Sequence, residues 1–155
     1  MKVLNYGSLN VDYVYSVDHI IVGGETQHSS KLEVFSGGKG LNQSIALAKA
    51  GVPVYHAGIV GTDGDILLEA CKEAGVNTKY IRRLPVKGGH TMIQVDKNAQ
   101  NCIILYGGTN QMQTKEFVDE VLADFGEGDY LILQNEINML DYIIDQAYEL
   151  SLIHI

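Results

Sequence analysis

The chain has 155 residues, of which 46% are hydrophobic, and this is enough for one compact domain with its own core. It contains no long apolar run and turns polar close to its start, so the sequence predicts neither a membrane span nor a secretory signal peptide. The net charge of −8 argues against nucleic acid as a partner, because nucleic-acid binding requires a basic surface.

The cysteine and histidine residues do not form the pattern of a metal or redox site. Cys71 and Cys102 lack C-x-x-C spacing, so we expect two reduced, buried thiols in a cytoplasmic protein. The histidines are scattered along the chain and form no H-x-x-x-H pair. We therefore expect no transition-metal site.

Short apolar segments alternate with amphipathic helical patterns along the chain. The expected strands are residues 2–6, 54–60 and 130–133, together with a hairpin whose arms are 90–96 and 102–106. The expected helices run from a glycine-rich turn to Gly51, over 66–74, from a Thr114 cap to Gly126, and onward from an Asn138 cap. Residues 13–36 alternate only weakly, which predicts irregular or edge strands outside the main core.

The alternation of strands and helices predicts an α/β fold with a mainly parallel sheet flanked by helices. Ligands of such folds bind beyond the carboxyl ends of the strands. Asn10, Asp12 and Glu136 each follow a predicted strand, so we expect them to converge at that edge of the sheet. At the two-residue period of an extended segment, Asn10 and Asp12 point the same way. The alternative for these two residues is a solvated turn with local hydrogen bonds.

A glycine-rich turn at residues 37–40 opens a helix of small residues and is the most informative stretch of the chain. Its glycines allow positive φ angles and the close approach of a ligand. Lys39 adds a cation beside the unpaired N–H groups of the first helical turn, and Asn42 can form hydrogen bonds toward the same spot. The turn predicts a site for a polar or anionic ligand, and a turn that only lets the helix pack is the alternative.

Two phosphate-binding motifs do not fit this turn. A P-loop requires Ser or Thr after its lysine, whereas Gly40 follows Lys39 here. A dinucleotide fingerprint requires a third glycine where this chain has Gln43. A nucleotide-binding protein that uses the turn for phosphate in another way remains an open hypothesis.

Five segments form an ordered series along the chain: Gly7-Ser8-Leu9-Asn10-Val11-Asp12, then Gly23-Gly24-Glu25-Thr26, then the run that begins Gly37-Gly38-Lys39-Gly40-Leu41-Asn42 and ends at Gly51, then Gly58-Ile59-Val60-Gly61-Thr62-Asp63, then Leu133-Gln134-Asn135-Glu136. In this order, and over nearly all of residues 1–150, the series resembles the ribokinase (PfkB-type) carbohydrate kinase family. Each of these motifs alone is short and would be a weak signal. Together, and in this order, they are specific.

This resemblance implies transfer of a phosphoryl group from ATP to a sugar hydroxyl. It also implies that residues 1–155 are the N-terminal portion of one ribokinase-like α/β domain. The substrate-binding residues carried over from the family are Asn10, Asp12, Gly38, Lys39, Asn42 and Glu136. Segments 13–36 and 90–106 correspond to a small β lid over the sugar, which in this family often forms a dimer interface, so we expect a homodimer of the full-length protein.

The family has its ATP and Mg²⁺ site, its catalytic Asp and a Gly-Ala-Gly-Asp anion hole in a C-terminal half. The resemblance therefore implies that the fold is incomplete at the C-terminus of this chain. It also implies that the catalytic Asp lies beyond that end, and that the fragment alone binds no cofactor firmly and is inactive. Residues 151–155 show no continuation from strand to turn, which is typical of a truncated or frame-shifted end.

One internal segment, Gly126-Glu127-Gly128-Asp129, matches the pattern G-x-G-D. An anion hole requires this motif at the start of a helix, where N–H groups point at phosphate. Here the segment follows a predicted helix and leads into a strand. We expect an ordinary turn, and not a catalytic role for Asp129.

The acceptor stays open among ribose, other pentoses, fructose or its phosphate, and nucleosides. The implied ligands are mostly carboxylates and amides, which pair well with hydroxyl groups, and few cations are available to hold a sugar phosphate. We therefore expect ribose or a similar sugar. A non-catalytic sugar-binding module is the alternative function.

Overall fold

The computed structural model describes residues 1–154, apart from the side chain of His154, and contains two β-sheets. The strands are β1 (Val3–Tyr6), β2 (Asn10–Ser16), β3 (Lys31–Gly37), β4 (Val54–Val60), β5 (Asn77–Arg83), β6 (Gly89–Val95), β7 (Asn101–Tyr106), β8 (Tyr130–Leu133) and β9 (Ile153–His154). The helices are α1 (Lys39–Lys49), α2 (Asp65–Ala74), α3 (Lys115–Leu122) and α4 (Leu140–Glu149), with a short 3₁₀ helix at Gly108–Gln111.

The larger sheet is parallel and has the strand order β5-β4-β1-β8-β9. Side chains of its central strand β1 alternate between two cores. Leu4 and Tyr6 pack with residues of α3 and α4, whereas Val3 packs with residues of α1 and α2. Because helices cover both faces, the inner strands are mostly apolar on both sides. The predicted α/β fold with a mainly parallel sheet flanked by helices is confirmed.

The smaller sheet has the strand order β3-β2-β6-β7 and stands at the carboxyl edge of the larger one. Residues 7–9 lead directly from β1 into β2, and Gly38 leads from β3 into α1. Strand β2 pairs with β3 in antiparallel and with β6 in parallel orientation. The predicted hairpin is confirmed as the antiparallel pair β6–β7. Strand β3 is an edge strand, as expected for part of segment 13–36.

Two strands were not predicted. Strand β5 has the polar sequence Asn-Thr-Lys-Tyr-Ile-Arg-Arg and pairs with β4 alone, so it has no continuous apolar run that would reveal it. Strand β9 pairs with β8 through Ile153, where the sequence indicated no regular continuation. Ile155, the last residue of that stretch, lies outside the described residues.

The predicted cap of α3 is confirmed, since Thr114 Oγ1 accepts a hydrogen bond from the Phe117 N–H. The helix ends at Leu122, earlier than the predicted end at Gly126. The predicted Asn138 cap of α4 is wrong. The Asn138 side chain instead accepts from the Gln113 N–H at 2.9 Å and donates to the Gln113 carbonyl at 3.0 Å.

The prediction of two buried thiols is confirmed for Cys71 and wrong for Cys102. Cys71 is a free, buried thiol on α2, and burial raises its pKa to about 11. Cys102 is also free, but it is exposed on β7. The apolar run around Cys102 misled the prediction, because β7 is the edge of a sheet that leaves much apolar surface uncovered.

Candidate functional site

The candidate site lies where three segments meet: the peptide after β1, the start of α1 and the segment after β8. Strands β1 and β8 are neighbours in the sheet, so the residues that follow them lie side by side. The Ser8 hydroxyl donates a hydrogen bond of 2.5 Å to Glu136 Oε2 and ties two of these segments together.

Glycines allow the start of α1 to pack directly on the backbone after β1. A Cβ atom at Gly40 would lie 2.4 Å from the Ser8 nitrogen and 2.7 Å from the Gly7 carbonyl carbon. Gly38 has a φ of 98°, and a Cβ there would lie 2.9 Å from the Ser8 oxygen. The Leu41 N–H donates to that same oxygen at 3.0 Å. The glycine-rich turn and residues 7–9 therefore form one tightly packed unit that requires glycine.

Lys39 and Glu136 are in direct contact across this unit. Lys39 Nζ lies 2.6 Å from Glu136 Oε1, and the Lys39 N–H donates to Oε2 at 3.1 Å. Burial raises the pKa of the Glu136 carboxyl group, but the hydrogen bonds from Lys39 and Ser8 lower it more, so the net shift is downward. Glu136 is therefore an ionised carboxylate at the positive end of α1.

The expectation that the first N–H groups of α1 are unpaired is wrong at two positions. Glu136 accepts from the Lys39 N–H, and Ser8 Oγ accepts from the Gly40 N–H at 3.2 Å. A carboxylate of the protein thus occupies the place where an anionic ligand was expected. A phosphate group at this spot would have to approach the negative charge of Glu136, which weakens the hypothesis of a phosphate-binding turn.

Asn10 and Asp12 lie on β2 beside the turn, on the same face of the smaller sheet. Asp12 Oδ1 accepts a hydrogen bond of 2.6 Å from the Thr91 hydroxyl on β6. A Cβ atom at Gly37 would lie 2.0 Å from Asp12 Oδ2, so the carboxylate covers that glycine. Asn10 is buried and accepts from Asn110 Nδ2 at 2.7 Å. The alternative of a solvated turn for Asn10 and Asp12 does not hold.

The six residues that were predicted to bind the sugar are not all in direct contact with one another. Lys39 and Glu136 are bonded to each other, and Gly38 packs against the backbone of Ser8 and Asn10. Asn42 is exposed on α1 and is joined to the turn through its N–H, which donates to the Gly38 carbonyl at 3.0 Å.

A buried polar network lies beneath the turn and was not predicted. Asn5 Nδ2 donates to the Gly40 carbonyl at 2.8 Å and to Ser44 Oγ at 2.9 Å, and its Oδ1 accepts from Gln134 at 2.7 Å. Ser44 Oγ lies 2.8 Å from His56 Nδ1. Burial lowers the pKa of His56 to about 4, so this imidazole is neutral. The available signal was a polar residue at an inward position of two otherwise apolar strands, Asn5 on β1 and His56 on β4.

The site combines hydrogen-bond acceptors with hydrogen-bond donors. Carboxylates accept hydrogen bonds, whereas lysine and amide groups donate them. Within residues 1–154, no group of three His, Cys, Asp or Glu side chains is arranged to hold a metal ion. None of the helices in this range is long and apolar enough to cross a membrane. The residues present offer hydrogen-bond donors and acceptors of the kind that pair with hydroxyl groups.

Residues 1–151 match the pattern of the pfkB family carbohydrate kinases. A ribokinase of Staphylococcus aureus is 35% identical over an alignment of 157 positions. The alignment covers 99% of this chain and 51% of that protein. The chain spans about half the length of the relatives it matches.

Solved structures of ribokinases are also similar to this chain, in both sequence and fold. The ribokinase of Thermotoga maritima is 33% identical, with a TM-score of 0.87 over 99% of this chain and 51% of that one. The Arabidopsis thaliana ribokinase solved with ribose and ATP is 28% identical, with a TM-score of 0.79 over 97% of this chain and 49% of that one. The match in sequence and fold extends across the segments that form the site, and the chain belongs to the pfkB family of carbohydrate kinases.

Proposed function

We propose that this chain is the sugar-binding half of an ATP-dependent kinase that phosphorylates a hydroxyl group of ribose or a similar sugar. The observation that carries the proposal is the meeting of Asp12, Lys39 and Glu136 around the glycine-rich turn at the carboxyl ends of β1 and β8. The ribose present in the Arabidopsis relative supports a pentose as substrate.

In this proposal the chain's own residues bind and orient the sugar. Asp12 and Glu136 accept hydrogen bonds from hydroxyl groups, and Asn10, Asn42 and Lys39 donate to them. Gly38 contributes through its backbone, since a side chain there would clash with residues 8–10 and displace the turn from the site. Each sugar hydroxyl that pairs with a buried polar group of the protein raises the selectivity for that sugar. An analogue without this hydroxyl leaves the polar group of the protein unpaired.

Phosphoryl transfer itself needs groups outside the sugar site. We propose that ATP, Mg²⁺ and the catalytic Asp belong to the half of the relatives that residues 1–155 do not span. We do not assign this role to Asp129. It lies in the turn before β8, and its carboxylate accepts hydrogen bonds from the backbone N–H groups of Lys2 and Gly126. When bound, ATP and Mg²⁺ supply the phosphoryl group and neutralise its charge. This chain alone is then inactive.

We propose further that the smaller sheet is a lid and the dimer interface of a cytoplasmic protein. By strand register, Ile103 and Leu105 lie on the face that carries Asp12 and Thr91, which we call the Asp12 face. The loop after β2 crosses the opposite face, where the Ile21 N–H donates to Gln94. The outer part of the Asp12 face remains uncovered and apolar, and a second copy of the chain would cover it.

Two further functions are kept as alternatives: a non-catalytic sugar-binding module, and a kinase for a fructose phosphate or a nucleoside. The module predicts sugar binding without ATP turnover in the complete gene product. The other kinases predict turnover with those acceptors and not with ribose. Because Glu136 already occupies the start of α1, a site here for the phosphate of a sugar or nucleotide is disfavoured.

The test is ribose binding by the complete gene product that contains this chain, measured by isothermal titration calorimetry. We expect binding, and a loss of about tenfold to a hundredfold in affinity for Asp12→Asn, because hydrogen bonds to charged groups contribute about 1.5–3 kcal/mol. Asp18→Asn is the matched control, since Asp18 is 71% exposed and pairs only with surface groups. Absence of both ribose binding and ATP turnover in the unsubstituted protein would contradict the proposal.

A further inference from the structure

Asn110 lies in the 3₁₀ helix after β7 and is 1% exposed. Its side chain pairs with both backbone groups of Leu9. Asn110 Oδ1 accepts from the Leu9 N–H at 3.0 Å, and Nδ2 donates to the Leu9 carbonyl at 3.2 Å. Since an N–H group can only donate and a carbonyl can only accept, these two bonds fix the orientation of the Asn110 amide.

This orientation determines that of the neighbouring Asn10 amide. Asn110 Nδ2 also donates to Asn10 Oδ1 at 2.7 Å, so the Asn10 oxygen must face Asn110 and its Nδ2 must point away. None of the hydrogen bonds found within residues 1–154 uses Asn10 Nδ2, and this atom is not among the fully buried polar atoms without a partner. The donors of Asn10 are therefore available to a ligand.

The space for this pair of amides is provided by Gly89, the first residue of β6. A Cβ atom at Gly89 would lie 2.1 Å from Asn110 Nδ2 and 2.4 Å from Asn10 Oδ1. Any larger residue would displace one of the two amides. Three separate segments of the chain, the start of β2, the start of β6 and the 3₁₀ helix, thus build the contact together.

Asp12, two residues after Asn10, supplies the complementary group. An ionised carboxylate only accepts hydrogen bonds, and the fixed Asn10 amide only donates on this side. A hydroxyl group has one hydrogen to donate and lone pairs to accept, so it can donate to Asp12 and accept from Asn10. If the Asn10 amide were reversed, two acceptors would compete for one hydroxyl hydrogen.

We propose that Asn110 is a positioning residue, which holds Asn10 with its amide donor toward the sugar and so completes a donor–acceptor pair for one sugar hydroxyl. The proposal rests on the proposed function, because it assumes that the ligand beside Asn10 and Asp12 is a sugar. It goes beyond that function by assigning a role to a residue that has no direct contact with the sugar in the mechanism above.

A double-mutant cycle on ribose affinity tests the proposal in the complete gene product, with calorimetry as the readout. Asn110→Ala and Asn10→Ala are each expected to weaken ribose binding by about tenfold, as for the loss of one buried hydrogen bond. In the Asn10→Ala background, Asn110→Ala is expected to add less than about twofold, because it acts through Asn10. Losses that multiply, or an unchanged affinity in folded Asn110→Ala, would overturn the proposal.

The matched control is Asn138→Ala. The Asn138 side chain makes the same pair of backbone hydrogen bonds, to Gln113, and has no hydrogen bond with Asn10. The Asn138 backbone N–H, which the substitution keeps, donates to the Asn110 carbonyl at 3.3 Å. Asn138→Ala is expected to lower the melting temperature while the ribose affinity changes by less than about twofold. An equal loss of ribose affinity in Asn138→Ala would mean that the Asn110 effect is only structural.

If Asn110→Ala does not fold, Gly89→Ala replaces it in the double-mutant cycle, because a methyl group there disturbs the contact between Asn110 and Asn10. The expected result is again a loss of ribose affinity that disappears in the Asn10→Ala background, and a loss that persists there overturns the proposal. Failure of the unsubstituted protein to bind ribose would instead overturn the proposed function, and the two failures are thereby distinguishable.

Discussion

Single residues beneath the glycine-rich turn connect the core to the proposed sugar site. His56 is fully buried on β4, and its Nδ1 lies 2.8 Å from Ser44 Oγ on α1. Ser44 in turn accepts from Asn5, which also holds the Gly40 carbonyl. Protonation of His56 would therefore disturb the hydrogen-bond network that positions the start of α1.

The pKa of His56 predicts how stability depends on pH. In the unfolded chain the imidazole has a pKa of 6.5, whereas burial lowers it to about 4 in the folded protein. Below pH 6.5 the unfolded state binds a proton that the folded state excludes, so the stability present above pH 6.5 is lost as the pH falls toward 4. This loss amounts to about 3 kcal/mol in the free energy of unfolding.

Urea unfolding of the complete gene product at pH 7.5 and pH 4.5 measures this effect. His56→Gln is expected to remove that part of the pH dependence, and His28→Gln, at an exposed loop position, is the control that should leave it unchanged. The same pH dependence in His56→Gln and in the unsubstituted protein would show that the buried imidazole is not responsible.

At the scale of elements, the packing of α1 on the peptide after β1 depends on one glycine. Gly40→Ala places a methyl group 2.4 Å from the Ser8 nitrogen, and this neighbour is backbone that cannot move aside. Alanine stabilises an exposed helical position by about 1 kcal/mol relative to glycine. Overpacking costs about 1–3 kcal/mol, or more where backbone clashes, so destabilisation is expected to prevail.

Melting temperature and ribose affinity measure the effect of Gly40→Ala, and both are expected to fall. Gly126→Ala is the matched control, because a Cβ atom there would meet no atom within 4 Å. A Gly40→Ala variant as stable as Gly126→Ala would contradict the close packing of α1 on residues 7–8.

At the scale of the whole molecule, the two faces of the smaller sheet differ in how they are covered. Ile103 and Ile104 are adjacent on β7 and are 53% and 62% exposed. Ile103 lies on the Asp12 face, and Ile104 lies on the face crossed by the loop after β2. If the Asp12 face is the dimer interface, a charge at position 103 must be buried without a partner on association.

Analytical ultracentrifugation of the complete gene product tests this. The unsubstituted protein and Ile104→Glu are expected to sediment as dimers, and Ile103→Glu as a monomer. Dimeric Ile103→Glu would argue against the Asp12 face, and a monomeric unsubstituted protein would argue against the proposed dimer altogether.

Local sequence patterns were enough to predict the alternation of strands and helices, apart from β5 and β9, and the glycine-rich turn. The alternation of apolar runs and helical periods predicted the parallel sheet, and the glycines at 37–40 indicated a turn that only glycine permits. These features depend on residues a few positions apart, and local patterns report them directly. Strand β5 and the end of α3 were missed because edge strands and helix ends have weak local signals.

Which side chains meet depends on how distant segments pack in the folded protein. The bonds of Lys39 to Glu136 and of Asn110 to Asn10 join residues 97 and 100 positions apart. Packing also decided that Asn138 holds Gln113 and not the start of α4, and that the network of Asn5 lies beneath the turn. Hydrogen bonds of this kind depend on how strands and helices pack, because burial leaves a polar group only the partners that packing brings to it.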